Sequence, residues 1–285
     1  MHYLEGGKGN AETVVMIHGN PSWSFYYRHL FTTLSKKYHC IVPDHIGMGL
    51  SDKPTDGEYD FTLKQRIDDL DALLSSLKVD NNLTLIVHDW GGMIGMAYAT
   101  RHPEKIKRLV ISNTAGFHIP SGKQIPWQLK LSRTPLIGAL LIQGLNAFCR
   151  GGVIQCVTRK PMTSDIKNSY LAPYDNWAHR LSVLRFVEDI PLDKNHVTYD
   201  IVDNVDKNLD QFSKLPMLIC WGLNDFVFDR HYLAEWKKRM PNAEYHEFDA
   251  GHYLLEDAGD EVIPLIQTFL DKTNTAQEKH AEGQT

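Results

Sequence analysis

Runs of consecutive apolar residues recur along the chain, separated by stretches whose apolar positions fall at helical spacing. "TVVMIHG" (13–19), "HCIVPD" (39–44), "LTLIVHD" (83–89), "IKRLVISNT" (106–114), "LPMLICWG" (215–222) and "AEYHEFDAG" (243–251) predict strands, with a further one at "MHYLEGG" (1–7). Helices are predicted at "SFYYRHLFTTLSKKY" (24–38), "LKQRIDDLDALLSSLKV" (63–79), "GMIGMAYATRHP" (92–103) and "EVIPLIQTFLDK" (261–272). Several of the strand runs are continuous rather than alternating, as in strands buried on both faces. Strands taking turns with helices predict an α/β fold, a mostly parallel sheet flanked by helices.

That rhythm breaks once. Asn113 and Leu215 lie about a hundred residues apart, where a crossover between parallel strands needs about a dozen. The interval is apolar and aromatic, so 116–207 is expected to be an inserted helical cap between core segments 1–115 and 208–272. Its most apolar part, "LIGALLIQGLNAF" (136–148), is too short and too interrupted by Gly138, Gln143, Gly144 and Asn146 to span a bilayer. The polar end "TNTAQEKHAEGQT" (273–285) is expected to be disordered.

In open parallel sheets, ligands bind beyond the carboxyl ends of the strands. His18, Gly19, Asn20, Asp44, Asp89, Asn113, Asp225 and His252 all fall at or just past such ends. Asp89 lies in "VHDWG", between a buried strand and a helix, where many hydrolases carry a strained nucleophile. An aspartate there is ionised without a base, its ordinary pKa being about 4. It suits displacement at a saturated carbon, giving an enzyme ester. Taken alone, Asp89 reads equally well as an N-cap. Asp225 and His252 follow in the chain order nucleophile, acid, histidine of this elbow class. Asp225 is the better partner for His252 because the residue after "RLVIS" is Asn113, not an acid. Asp44 is read as structural. Trp90 offers an indole N–H and Asn20 an amide with two donors, a pair suited to hold a departing anion beside Asp89. Their backbone amides suit an oxyanion hole.

Charge and cysteines narrow the class further. With 30 basic and 35 acidic residues the net charge is −5, which argues against nucleic acid as a partner. No window reaches the roughly 18 uninterrupted apolar residues of a membrane span, and the first ten residues lack the apolar core of a signal peptide. Cys40 and Cys220 fall inside predicted strands, and Cys149 and Cys156 would sit about 10 Å apart on one helix, too far for a disulfide. Four reduced cysteines in the cytoplasm are expected.

The strings "HGNPSW", "PDHIGMGLSDKP", "HDWGGMIG", "WGLNDFVF" and "GHYLLED" resemble the haloalkane dehalogenase branch of the α/β-hydrolase family. "GFHIPSGKQIPWQL", "GLNAFCRG" and "YLAPYDNWAHRLSVLRFVEDIPL" look like the β-lactone decarboxylases of bacterial long-chain olefin biosynthesis. This resemblance spans nearly the whole chain. It implies the α/β-hydrolase fold, Asp89 as nucleophile, His252 as general base, Asp225 as triad acid, and Asn20 with Trp90 as the leaving-anion pair. It implies no cofactor and no metal. Substrates would be cis-3-alkyl-4-alkyloxetan-2-ones, giving carbon dioxide and a cis-alkene, and partners the β-lactone synthetase and NADPH-dependent reductase of the same pathway. Asp89 could attack the ring carbon or the lactone carbonyl. A hydrolytic dehalogenase is the second reading. An epoxide hydrolase, drawing on Tyr170, Tyr174 or Tyr199, is the third. A non-catalytic ligand receptor is the alternative outside the enzymes. Relatives usually carry another strand before "MHYLEGG", so an earlier translation start or a missing edge strand is expected.

Overall fold

The computed structural model describes residues 1–79 and 81–282, with side chains through Asn274. Among the described residues the strands are β1 (Tyr3–Gly6), β2 (Thr13–Ile17), β3 (His39–Pro43), β4 (Leu83–Asp89), β5 (Ile106–Thr114), β6 (Met217–Gly222) and β7 (Glu244–Phe248). They form one sheet in the order β1-β3-β2-β4-β5-β6-β7, parallel except for β1 at the edge. The helices before β5 are α1 (Arg28–Leu34), α2 (Leu63–Ser76) and α3 (Trp90–Arg101). Between β5 and β6 come α4 (Trp127–Ser132), α5 (Ile137–Ala139, continued by a π-turn Leu140–Gly144), α6 (Ala147–Gln155), α7 (Ser164–Leu171), α8 (Leu181–Glu188) and α9 (Tyr199–Asn208). After β6 follow α10 (Arg230–Arg239), α11 (Leu254–Asp257) and α12 (Gly259–Glu282).

The period of two in the strands divides the core between two faces. Val15, Ile17, Leu85 and Val87 pack with α2, α3, α9 and α10. Val14, Met16, Cys40 and Ile86 pack with α1 and α12. Every residue of β2 and β4 is therefore buried, which is why their sequences run apolar without alternation.

Several elements differ from the sequence pattern. The helix expected over 24–38 is a 3₁₀ turn, Ser24–Tyr27, followed by α1, which stops at Leu34. Thr32 and Thr33 turn their hydroxyls back onto the carbonyls of Arg28 and His29, a habit that weakens helices. Helix α12 runs on to Glu282, through most of the tail expected to be disordered, because extending a formed helix needs no new nucleus. The rest of that tail, 283–285, lies outside the described residues. Helix α9 lies along α3 beside the sheet, with Val202 and Val205 in the core. Packing against the sheet thus resumes at Tyr199, ahead of the expected return at 208.

The helices preceding α9 are tied to the loop that carries His252. Asp257 accepts from the backbone amides of Thr158 (2.7 Å) and Arg159 (3.2 Å) after α6, and from that of Gly251 (2.7 Å). Glu256 accepts from Tyr170 of α7 (2.6 Å) and, through its two oxygens, from Arg28 of α1 (2.5 and 2.9 Å). Each carboxylate accepts hydrogen bonds at both of its oxygens, the arrangement in which buried ions are tolerated.

Where β4 turns into α3 the backbone passes very close to β2. A Cβ on Gly91 would lie 2.0 Å from the carbonyl oxygen of Ile17, a backbone atom with nowhere to move. Gly91→Ala is expected to destabilise the protein by about 3 kcal/mol, read as a lower urea midpoint at unchanged slope. An unchanged midpoint would show that the turn can open without cost.

Candidate active site

Asp89 ends β4 with φ 53° and ψ −128°, a conformation that L side chains rarely adopt. It stands at the N-cap of α3, yet its side chain caps nothing. Instead Oδ1 accepts from the backbone amide of Asn20 at 2.6 Å, and the amide of Trp90 also favours its charged form. The reading of Asp89 as a helix cap is thereby overturned. The hydroxyl of Thr114 donates to the carbonyl of Asp89, holding the turn from the β5 side. Gly19 lets the loop after β2 approach, since a Cβ there would lie 2.0 Å from Oδ1 of Asp89.

The loop after β7 brings His252 over this carboxylate. Its Nε2 lies 3.7 Å from Oδ2 of Asp89, and its Nδ1 lies 2.7 Å from Oδ2 of Asp225. Asp225 is buried and fully engaged. Oδ1 accepts from the amides of Val227 (2.7 Å) and Phe228 (3.1 Å), while Oδ2 also accepts from Nδ2 of Asn113 at 3.0 Å. Asn113 was set aside in the sequence because it is not an acid, but it orients the acid. The register between β4 and β5 slips there, pairing His88 with Ser112 and Asp89 with Thr114. Asn113 is the extra residue of that bulge, with φ 36°. Its side chain also clamps Gly222, donating to the carbonyl and accepting from the amide.

His88 is a second positioning residue that the sequence left without a role. Its Nε2–H donates to the carbonyl of His252 at 2.8 Å. Burial, then the neighbouring His252, pushes its pKa well below the ordinary histidine value, so the ring is neutral. His18 bonds the carbonyl of Gly19 and the amide of His45, bracing the loop of Asn20. Asp44 accepts from the amides of Ser24 and Leu50, so it too holds loops.

Asn20 and Trp90 both line the cavity above Asp89. The expectation of two free amide donors on Asn20 needs correction, because Nδ2 donates to the carbonyl of Val183 in α8 at 3.1 Å. One amide hydrogen remains. Trp90 packs its ring against Phe186 of the same helix. The cavity, of about 370 Å³, is lined largely by apolar side chains, among them Phe117, Leu129, Leu141, Phe148 and Phe228. None of the three tyrosines considered from the sequence lines it. Tyr170 donates to Glu256, Tyr174 lies 3.4 Å from the carbonyl of Ser22, and Tyr199 stacks on His118. The epoxide hydrolase reading loses its donors. Among the described residues, no group of His, Cys, Asp and Glu could hold a metal ion.

Residues 12–147 match the family model described as the alpha/beta hydrolase fold. Over 96% of its length the chain is 56% identical to the cis-3-alkyl-4-alkyloxetan-2-one decarboxylase of Shewanella oneidensis, covering 86% of that protein. It is 46% identical to the decarboxylase of the same name from Xanthomonas campestris pv. campestris, over 95% of this chain and 92% of that one. The structure superposes on a haloalkane dehalogenase from Bradyrhizobium elkani with a TM-score of 0.86, covering 96% of this chain and 94% of that chain, at 24% identity. That likeness speaks for the fold.

Electrostatics set how the carboxylate is used. Burial pushes the pKa of Asp89 up, and this outweighs the opposing pull of His252 and of the two backbone amides. Burial alone would lower the pKa of His252, but Asp225 and then Asp89 raise it beyond its ordinary value. A nucleophilic Asp89 must be ionised, so kcat/KM should fall on the acid side through a pKa above the ordinary aspartate value of about 4. His252→Gln removes a charge that favours the ionised form, so that limb should move to still higher pH. A pH profile of the variant with an unmoved or lowered acid limb would contradict this assignment.

Proposed function

Because the chain belongs to the α/β-hydrolase family, in the group of the cis-3-alkyl-4-alkyloxetan-2-one decarboxylases, we propose that it converts such a β-lactone to a cis-alkene and carbon dioxide. The observation that carries the proposal is a carboxylate on the elbow, uncapped and facing an apolar cavity. A carboxylate needs no base to attack, and the cavity suits alkyl chains.

In the proposed route, an oxygen of Asp89 attacks the saturated ring carbon bonded to the ring oxygen, with inversion. The carbon–oxygen bond of the ring breaks and its electron pair leaves on a carboxylate. The remaining Asn20 donor and the indole N–H of Trp90 hold that anion. The carbon–carboxylate bond then breaks anti to the Asp89 ester, its electrons form the double bond, and Asp89 leaves as a carboxylate. Inversion followed by anti elimination is syn overall, so a cis ring gives a cis-alkene. The cycle consumes no water and needs no cofactor. Asp225, fixed by Asn113, holds His252 with its Nε2 toward Asp89, where a protonated ring stabilises the ionised carboxylate.

Helices α4–α8 serve as the lid of the site in this reading, shaping the cavity and excluding water. We place the enzyme in the cytoplasm, in line with its four free, buried cysteines. We place it beside the β-lactone synthetase and the NADPH-dependent reductase of olefin biosynthesis, since apolar intermediates gain from direct transfer.

Hydrolytic dehalogenation is the second reading, favoured by the same leaving-anion pair and by a histidine within reach of an Asp89 ester. The two diverge at His252. Given a cis-β-lactone, His252→Ala is expected to keep forming alkene over many turnovers, at reduced rate. Given a reactive 1-haloalkane, the same variant should stop with a stable ester on Asp89, seen by intact-protein mass. Wild-type protein releasing halide but no alkene, or a variant that stops after one lactone, would sink the elimination route.

A further inference from the structure

Charge is distributed unevenly along this acidic chain. No Asp or Glu occurs between Glu104 and Asp165, although the chain contains 35 of them. The part of that stretch beyond β5 carries Lys123, Lys130, Arg133, Arg150, Arg159 and Lys160. Lys130 and Arg150 are exposed, and neither side chain has a carboxylate or hydrogen-bond partner among the described residues.

The same stretch, with the nearby Trp177, exposes large apolar side chains. Trp127 is 69% exposed and Leu136 87%, and Leu131, Ile137, Leu140 and Trp177 are exposed as well. Their elements are neighbours: α4 packs on α5, and Leu140 and Trp177 both flank Gly144. The inner sides of α5 and α6, with Gly138, Ile142, Cys149 and Val153, are buried against the protein. Although these two segments are apolar enough together to suggest a span, they bend by 68° and are packed on one side. Such helices suit lying on a membrane better than crossing it.

Leu136 is the most informative residue. It is a bulky side chain held at φ 64°, which costs about 1–3 kcal/mol, and in this structure it is almost fully in solvent. A glycine, having no Cβ, would adopt that backbone more easily. Strain combined with exposure makes sense if the side chain has an apolar partner outside the protein. The cavity points the same way, because Trp127 and Leu131 are exposed and also line it, so it reaches the surface at this face.

We propose that the face formed by α4, α5 and the outer side of α6 docks on an anionic lipid surface, with Lys130 and Arg150 at the headgroups and Leu136 and Trp127 in the acyl boundary. Apolar patches flanked by unpaired cations bind such surfaces through buried area and charge together. The cavity mouth then faces the acyl layer, from which an apolar substrate enters without crossing water. Only this direction of traffic rests on the proposed substrate; docking itself does not.

Vesicles test the docking without reference to turnover. Wild-type protein should co-sediment with phosphatidylcholine vesicles containing about a third phosphatidylglycerol, and more weakly with phosphatidylcholine alone. Lys130→Gln with Arg150→Gln should weaken anionic binding by about fivefold for each cation. Leu136→Gly should also lose binding while its thermal unfolding midpoint stays level or rises, and both variants should turn over a short-chain soluble lactone as the wild type does. Absence of wild-type binding to the anionic vesicles, or undiminished binding by the variants, would overturn the proposal. So would a wild type that ignores vesicles but self-associates through this face, with the variants monomeric by light scattering.

Discussion

The structure turns on one constraint: a carboxylate has to be accommodated against an apolar cavity. Burial favours the neutral form of Asp89, and the net shift is upward. Opposing it are two backbone amides, from Asn20 and Trp90, and the imidazole of His252. Each of those groups depends on a local backbone feature. The amide of Asn20 arrives because Gly19 lacks a side chain, and that of Trp90 because Asp89 takes a positive φ. His252 is held by Asp225, Asp225 by Asn113, and Asn113 owes its reach to a bulge in β5. The site is a chain of dependencies that ends in the sheet register.

Much of this was legible in the sequence, for stated reasons. Continuous apolar runs mark β2 and β4 because both faces of the sheet are covered. Asp89, Asp225 and His252 were picked out because each follows a strand, and parallel strands gather their carboxyl ends on one rim. Asn113 and His88 escaped because their work is done through geometry that residue type does not announce. A bulge is a matter of pairing between distant strands, and a histidine donating to a backbone carbonyl looks like any other buried histidine. The donor lost from Asn20 to Val183 depends on where α8 packs, which no local pattern encodes. Helix ends also differ from the sequence pattern, at α1, where threonines bond back to the helix, and at α12, where polar residues extend one.

Helices α4–α8 supply what the sheet cannot, apolar walls around the volume above the carboxylate. Val183 of α8 accepts from Asn20 and Phe186 packs on Trp90, so the layer over the sheet also positions these two side chains. Asp257 joins the segment after α6 to the loop of His252. In the proposed route the chemistry is completed within the covalent adduct and admits no water.

The fate of oxygen on Asp89 tests that account most directly. Single turnover of a cis-β-lactone in heavy-oxygen water, followed by mass analysis of the peptide containing Asp89, reads whether water ever attacks the adduct. Elimination returns the original carboxylate, so the peptide should keep its natural mass while alkene is formed. A heavier Asp89 peptide after each turnover would mean hydrolysis of an ester or anhydride, and the proposed mechanism would be wrong.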